Sequence, residues 1–164
     1  MVIQEHLLTL TKNVSPPNAR IVQFRKEHIY KMNFDKPQQI LIDSMPSYAD
    51  WLEVQAHMGV SVTIIMDGQP ILCFGFIPLW PGVAEAWMLF DEQIRSRIIP
   101  FGRGAFRIFS LIATVLELQR LQMFVSSDNN LSIRFAEFCK FNQEGLLKKY
   151  GPDKKDYYIY ARLY

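Results

Sequence analysis

The segment IIPFGRGAF, residues 98–106, has the composition of a phosphate-binding turn. Gly102 and Gly104 flank an arginine, and a long apolar segment with helical spacing follows directly. The free backbone N–H groups at the start of a helix attract anions, and glycine lets a ligand approach the backbone closely. The segment therefore predicts either an anion-binding turn or a simple helix entry in which glycine only relieves strain.

The cysteines and histidines do not have the spacing of a metal site. Cys73 and Cys139 each lie among apolar neighbours, which favours buried, reduced thiols. The histidines, His6, His28 and His57, are scattered, and none pairs with a cysteine. The sequence therefore predicts no metal centre.

The length and composition indicate one compact domain. A chain of 164 residues with 49% hydrophobic residues can bury a single core. The motif SPPN closes an N-terminal arm, residues 1–18, and the domain is expected over residues 19–164. The net charge of +2 is too small to argue for nucleic acid, because a basic face needs clustered charges. Four lysines, Lys148, Lys149, Lys154 and Lys155, cluster near the end of the chain but are diluted by Asp153 and Asp156. This favours a solvated hairpin over a patch that binds nucleic acid or phosphate.

No targeting or membrane segment is expected. The first residues carry Glu5 and lack a long apolar run, so they do not resemble a signal peptide. No apolar window approaches the ~20 residues that a membrane-spanning helix needs. These features predict a cytoplasmic protein without a membrane span.

The middle of the chain predicts a meander of three strands. Asp67-Gly68 separates two β-rich runs, which is a strong signal for a hairpin. The run VAEAWMLF, residues 83–90, then forms the third strand. Strand alternation places its residues on two faces: Ala84, Ala86 and Met88 on one, and Val83, Glu85, Trp87 and Leu89 on the other.

The remaining segments predict helices on both sides of this meander. Ser47 and Gly59 frame one helix, and the apolar spacing of residues 106–116 indicates a long buried one. Further along, the runs RLQMFVSS and YYIYARLY read as strands, with a helix between them that Asp128 or Asn129 caps. This order predicts an α/β (α+β) domain whose mixed, mostly antiparallel sheet is flanked by helices.

The predicted order, with its hairpin at Asp67-Gly68, resembles the fold of the GNAT family of N-acetyltransferases over residues 21–164. Asn129, Arg134 and Phe135 have the spacing N-x(4)-R-[FW] of similar sequences. The narrower resemblance is to GNAT-like proteins of tailed phages, including small internal virion proteins, which share the tryptophan at Trp87 in the middle strand.

The resemblance implies an acetyl-CoA-dependent N-acetyltransferase. The family motif [QR]-x-x-G-x-[GA] would place the pyrophosphate on the loop formed by Gly102, Arg103, Gly104 and Ala105. Asn129 would hydrogen-bond the pantetheine arm, although capping a helix is an equally good role for it. Glu85 would serve as general base toward an amine substrate, and a solvent-facing strand residue is the alternative.

The chain departs from the family pattern at several positions. Ile99 replaces the first motif residue, and Pro100 removes one backbone donor. Lys140 stands where a glycine is expected, and Phe135 and Ala136 stand where many members carry a proton-donating tyrosine. The alternative function is therefore a non-catalytic GNAT-fold protein of the virion or of phage assembly, whose partners are phage structural proteins.

Overall fold

The computed structural model describes residues 18–164, apart from the side chains of residues 95–100. A seven-stranded sheet lies at its centre, with the order β1-β2-β3-β4-β5-β7-β6. The strands are β1 (Ala19–Gln23), β2 (Val60–Met66), β3 (Gln69–Trp80), β4 (Val83–Phe90), β5 (Arg120–Ser126), β6 (Asn142–Leu147) and β7 (Tyr157–Leu163). Among these described strands only the β4–β5 pair is parallel, so the predicted mixed and mostly antiparallel sheet is confirmed.

Within residues 18–164, five α-helices cover the two faces of the sheet. They are α1 (Lys26–Ile29), α2 (Lys36–Ser44), α3 (Tyr48–Met58), α4 (Ile98–Val115) and α5 (Asn130–Phe138), and a 3₁₀ helix (Glu92–Arg97) precedes α4. In the part of the chain that the structure describes, no helix is long and apolar enough to cross a membrane.

The predicted hairpin joins β2 to β3. Asp67 and Gly68 both have positive φ angles, of 50° and 80°, as a two-residue turn between strands requires. Met66 pairs with Gln69 directly beside the turn. The turn therefore sets the register of the first two meander strands.

Strand β4 divides the core into two layers, as its alternation predicts. Ala84, Ala86 and Phe90 lie in one apolar cluster with Phe109 and Ile112 of α4. All five side chains are almost fully buried. The burial of apolar side chains such as these is the main source of stability for a domain of this length.

The opposite face of β4 packs under α3. Leu89 lies in a second cluster with Ala49 and Leu52 of α3, and Trp87 packs against it. The ring of Trp87 meets that of Phe24 edge-on, with centroids 5.1 Å apart. The sheet is therefore a layer between two groups of helices.

Two elements were missed by the sequence analysis. Helix α2 contains Pro37 in its first turn, where a missing N–H is tolerated, so this proline begins a helix, although proline more often interrupts one. Strand β6 is a mostly exposed edge strand with the sequence NQEGLL, which has no apolar alternation to reveal it.

The glycine segment is helical, and this corrects our expectation of a turn before the helix. Helix α4 begins at Ile98, so Gly102, Arg103, Gly104 and Ala105 all lie within its first turns. Pro100 falls in the first turn, where proline is compatible with a helix. The N–H groups from Gly102 onward therefore belong to the helix ladder.

The sequence also led to predictions for the two cysteines, two helix caps and the N-terminal arm. Both cysteines are buried and free, as expected. Asn129 precedes α5, and its side chain accepts a hydrogen bond from the backbone N–H of Ser132, so the predicted cap is confirmed. Ser47 precedes α3 without a capping bond from its side chain. Of the predicted arm, residues 1–17 lie outside the described residues.

Candidate functional site

A cleft opens where β4 and β5 separate. The two strands pair in parallel only over Val83–Glu85 and diverge beyond that point. The cleft encloses about 100 Å³, and Trp87 and Met88 both line it although they lie on opposite faces of β4. It therefore runs through the sheet from one helical layer to the other.

The backbone of β4 faces this cleft with a regular set of hydrogen-bonding groups. Phe90 pairs with Leu72 of β3, and the N–H of Asp91 donates to the carbonyl of Ile71 at 2.9 Å. In an antiparallel pair this pattern directs the N–H and C=O of Phe90 away from β3. By the same alternation, the backbone groups of Met88 point toward the cleft.

Asn129 lies in the wall of the cleft at the start of α5. Its side chain is buried, and its Oδ1 accepts from the N–H of Ser132 at 3.1 Å. Phe135 of the same helix also lines the cleft. The capping role is therefore present, and the position also suits contact with a ligand.

Glu85 lies one residue before the strands diverge and shares a face with Trp87. Its side chain is half-buried, and burial raises the pKa of its carboxyl group. Among the side chains that the structure describes, none forms a hydrogen bond or salt bridge with it. Burial raises the pKa values of Tyr48 and Tyr150, and the charge of Glu85 raises both further.

The aromatic rings of Phe124, Tyr150 and Tyr157 lie next to one another beside the cleft. The ring of Phe124 lies 4.8 Å from that of Tyr150, and the ring of Tyr150 lies 5.8 Å from that of Tyr157. Tyr157 lines the cleft itself, and burial raises the pKa of its hydroxyl. We did not predict Tyr157 as a site residue, because the resemblance directed attention to the last helix, and the only sequence signal for it is the cluster of tyrosines in the last strand.

The two glycines of α4 have different surroundings. A Cβ atom on Gly102 would lie 2.7 Å from Cε1 of Phe138, so this glycine allows α5 to approach α4. A Cβ atom on Gly104 would meet nothing within 4 Å. Arg103 and Arg107 are exposed on the same helix. The structure thus places Gly102 in a packing role, while Gly104 and the two arginines face open space.

Comparison with known proteins identifies the architecture. No protein-family model matches the sequence, and no curated protein matches it. Solved structures do match, among them Ard1 from Thermoplasma volcanium, with a TM-score of 0.70 and 16% identity over 89% of this chain and 97% of that one. An IAA acetyltransferase from Bacillus cereus matches with a TM-score of 0.66 and 14% identity over 89% and 99% of the two chains.

A third match is a GNAT family acetyltransferase from Elizabethkingia anophelis with acetyl-CoA bound, with a TM-score of 0.66 and 12% identity over 91% of this chain and all of that one. The chain has the GNAT fold. At these identities the likeness concerns the fold alone, and the predicted fold is confirmed. A fold does not by itself specify an activity, so the function depends on the cleft and the side chains around it.

Proposed function

We propose that this GNAT-fold chain is an N-acetyltransferase that binds acetyl-CoA in the β4–β5 cleft and transfers its acetyl group to an amine. The observation that carries the proposal is the cleft itself, which runs through the sheet beside the half-buried Glu85. A cleft of this form lets two substrates meet from opposite faces. Holding both in line is the largest contribution that such a site can make to the rate.

The cleft has the chemistry to hold the arm of acetyl-CoA. Its walls are mainly apolar, and the N–H of Met88 is directed into it. A backbone N–H fixed on a strand can donate to the thioester carbonyl and stabilise the negative charge that develops there. Asn129 lies in the same wall and could orient the arm. When bound, acetyl-CoA supplies an acetyl group activated as a thioester.

The pyrophosphate would lie against the open side of α4. Gly104 leaves space for a ligand, and the exposed Arg103 and Arg107 lie one helical turn apart. Guanidinium groups bind phosphate oxygens strongly. The amides of Gly104 and Ala105 belong to the helix ladder, so the arginine side chains would provide most of the attraction.

Glu85 would take the proton of the amine. A carboxyl group whose pKa is raised by burial is a better base near neutral pH than an ordinary glutamate. Glu85 would first take a proton from the ammonium form of the substrate, directly or through water, which frees the nitrogen lone pair. The nitrogen would then bond to the acetyl carbon as the carbon–sulfur bond breaks. The second nitrogen proton would pass to the departing thiolate through water, and Tyr157, which stays protonated because burial raises its pKa, would donate a hydrogen bond to that sulfur.

The first test is binding and turnover. We expect acetyl-CoA to bind with micromolar affinity by calorimetry, and a panel of amines and peptides to release free CoA thiol. Glu85→Gln should lower kcat/KM by about 100-fold while leaving acetyl-CoA affinity within about twofold, since a general base typically contributes 10²–10⁴. The control is Glu92→Gln, an exposed carboxylate in the 3₁₀ helix.

A second pair of variants tests the location of the cofactor. Gly104→Trp should abolish acetyl-CoA binding and Gly104→Ala should not, because both side chains enter open space and only the indole is large enough to fill it. An absence of binding to the wild-type protein at millimolar acetyl-CoA would contradict the proposal.

The second candidate is a non-catalytic GNAT-fold protein of a phage particle or its assembly. It is favoured by the packing role of Gly102 and by three exposed apolar side chains spaced along α3. Trp51, Val54 and Met58 are 42%, 64% and 64% exposed, which suits a protein contact. Co-purification with phage particles, without acetyl-CoA binding, would favour this function over catalysis.

A further inference from the structure

The side chain of Gln38 occupies the free edge of β4 at the end of the cleft. Its Nε2 donates to the carbonyl of Phe90 at 3.0 Å, and its Oε1 accepts from the N–H of Phe90 at 3.0 Å. Because Phe90 offers one donor and one acceptor, the pairing also fixes which end of the Gln38 amide is oxygen. The carboxamide thus forms the two hydrogen bonds that a residue of a neighbouring strand would form.

This edge is the one that faces the cleft. The N–H and C=O of Phe90 point away from β3, and β5 pairs with β4 only as far as Glu85. Gln38 therefore takes the position that an extended chain would occupy if it lay along β4. Both Gln38 and Phe90 line the cleft.

The amide of Gln38 is held by the start of α2. Asp35 accepts from the backbone N–H of Gln38 at 3.1 Å and from its Nε2 at 3.2 Å, and both side chains are 5% exposed. Gln38 is the only buried residue in Lys36–Ser44, every residue of which the structure describes. The helix is therefore fixed to the sheet by this polar contact together with the partly buried Ile42, which packs against the second apolar cluster. The amide contact is easier to exchange for another amide than a buried apolar face would be.

We propose that Gln38 closes the cleft by imitating a ligand amide, and that α2 must withdraw this side chain before an extended, amide-containing ligand can lie along β4. The identity of that ligand rests on the proposed function, since the arm of acetyl-CoA carries two secondary amides. The closure itself rests on the geometry of Gln38 and Phe90. The apo protein would then bind its ligand more weakly than an open cleft would.

Gln38→Ala tests the closure by removing the competing amide. The closed state would lose the two hydrogen bonds between Gln38 and the backbone of Phe90, so acetyl-CoA should bind about tenfold more tightly. Gln38→Asn is a second variant, because its amide is one methylene too short to reach both groups of Phe90 while the polar character is kept. Gln39→Ala is the matched control, since Gln39 is the next residue of α2 and its side chain bonds Asp43 on the outer side.

Two further readouts do not depend on acetyl-CoA. The amide of Phe90 should exchange its hydrogen about ten times faster in Gln38→Ala than in the wild-type protein and Gln39→Ala, as measured by NMR. N-acetyl-β-alanine methylamide, a small compound with two amides, should bind Gln38→Ala more tightly than the wild-type protein. Unchanged protection of Phe90 in Gln38→Ala would overturn the closure.

The outcomes separate this inference from the proposed function. If the wild-type protein binds acetyl-CoA and neither Gln38 variant tightens it, the closure is wrong and the function stands. If acetyl-CoA binds no variant but the diamide binds Gln38→Ala more tightly, the function is wrong and the closure stands. If neither compound binds Gln38→Ala, both are wrong.

Discussion

The entry of α4 and the junction of α5 with β7 use their polar residues in opposite ways. At the junction, Arg162 of β7 donates to the carbonyl of Cys139 at 3.2 Å and to Oγ of Ser110 at 2.8 Å. At the entry of α4, Arg103 and Arg107 are exposed. The junction is therefore fixed by contacts inside the molecule, whereas the entry leaves its charges available for a ligand.

The difference indicates which parts of the GNAT sequence pattern serve the fold. Asn129 caps α5, and Phe141 lies in the core beyond the end of that helix. Gly102 lets the ring of Phe138 pack against α4. The chain departs from the pattern at Ile99 and Pro100, which belong to the part of the motif that would grip a phosphate.

Arg162→Met should give the largest effect on stability. The guanidinium bonds a carbonyl at the end of α5 and lies between the rings of Phe106 and Tyr164, 4.4 and 4.8 Å from their centroids. Removing a charged donor from a buried carbonyl should lower the free energy of unfolding by about 2–3 kcal/mol in urea titrations. Arg107→Met, on the exposed face of α4, should change it by less than about 0.5 kcal/mol.

The contrast between the two regions predicts the reverse order of effects on acetyl-CoA binding. Arg107→Met should weaken acetyl-CoA binding, while Arg162→Met, measured where it is still folded, should leave it nearly unchanged. A loss of stability of similar size in both variants would contradict the distinction between the two regions.

Gly102→Ala and Gly104→Ala should change stability in opposite directions although they lie two residues apart. The methyl group at position 102 would collide with the ring of Phe138, and this overpacking should lower stability by about 1–2 kcal/mol. At position 104 the methyl group meets nothing, so the better helix propensity of alanine should raise stability by about 0.5–1 kcal/mol. Thermal and urea unfolding of the two variants measures both. A gain in both would show that α5 moves away from Gly102 at little cost.

Much of the fold could be predicted because local signals and burial agree. The Asp67-Gly68 turn requires positive φ at both residues, and β4 alternates between two apolar layers. Helix α2 and strand β6 could not be seen, because the first buries a glutamine instead of an apolar stripe and the second is an exposed edge. Elements held by polar contacts leave no periodic pattern in the sequence.

The candidate site was harder to predict than the fold. Glu85 and Asn129 lie beside the cleft because each belongs to an element with a clear signal. Gln38 and Tyr157 were not predicted, since their roles depend on where β4 and β5 diverge. Such a divergence is a tertiary feature, and no spacing of residues along the chain reports it.

Lys140→Gly should stabilise the end of α5. Lys140 has a φ of 66°, in the left-handed region that glycine favours, and it follows the helix at the position where the GNAT pattern expects glycine. Relieving this conformation should raise the free energy of unfolding by about 0.5–1 kcal/mol, because the gain exceeds the entropy that glycine loses on folding. Lys149→Gly, also at positive φ but in a loop, is the comparison. A loss of stability in Lys140→Gly would mean that its side chain makes contacts worth more than the strain.

Glu85→Gln should give the smallest effect, and its sign depends on pH. Burial raises the pKa of Glu85 above its ordinary value of 4.5, so the ionised form is disfavoured in the folded state. The contribution of Glu85 to the free energy of unfolding is therefore fully present only below the pKa that it has in the unfolded state. This contribution is lost as pH rises through the pKa of the folded state. The glutamine variant should be more stable at pH 7, by less than about 1 kcal/mol because the site is partly solvated, and the gain should vanish near pH 4.

Glu144 of β6 provides the control of opposite sign. Its hydrogen bonds with Arg120 hold its pKa below the ordinary value, so it supports folding above its unfolded pKa and loses that support as pH falls. Glu144→Gln should thus be slightly less stable than the wild-type protein at pH 7 and equal to it in acid. If Glu85→Gln followed the same profile as Glu144→Gln, the carboxylate of Glu85 would be paired instead of desolvated, and its assignment as the base would fail.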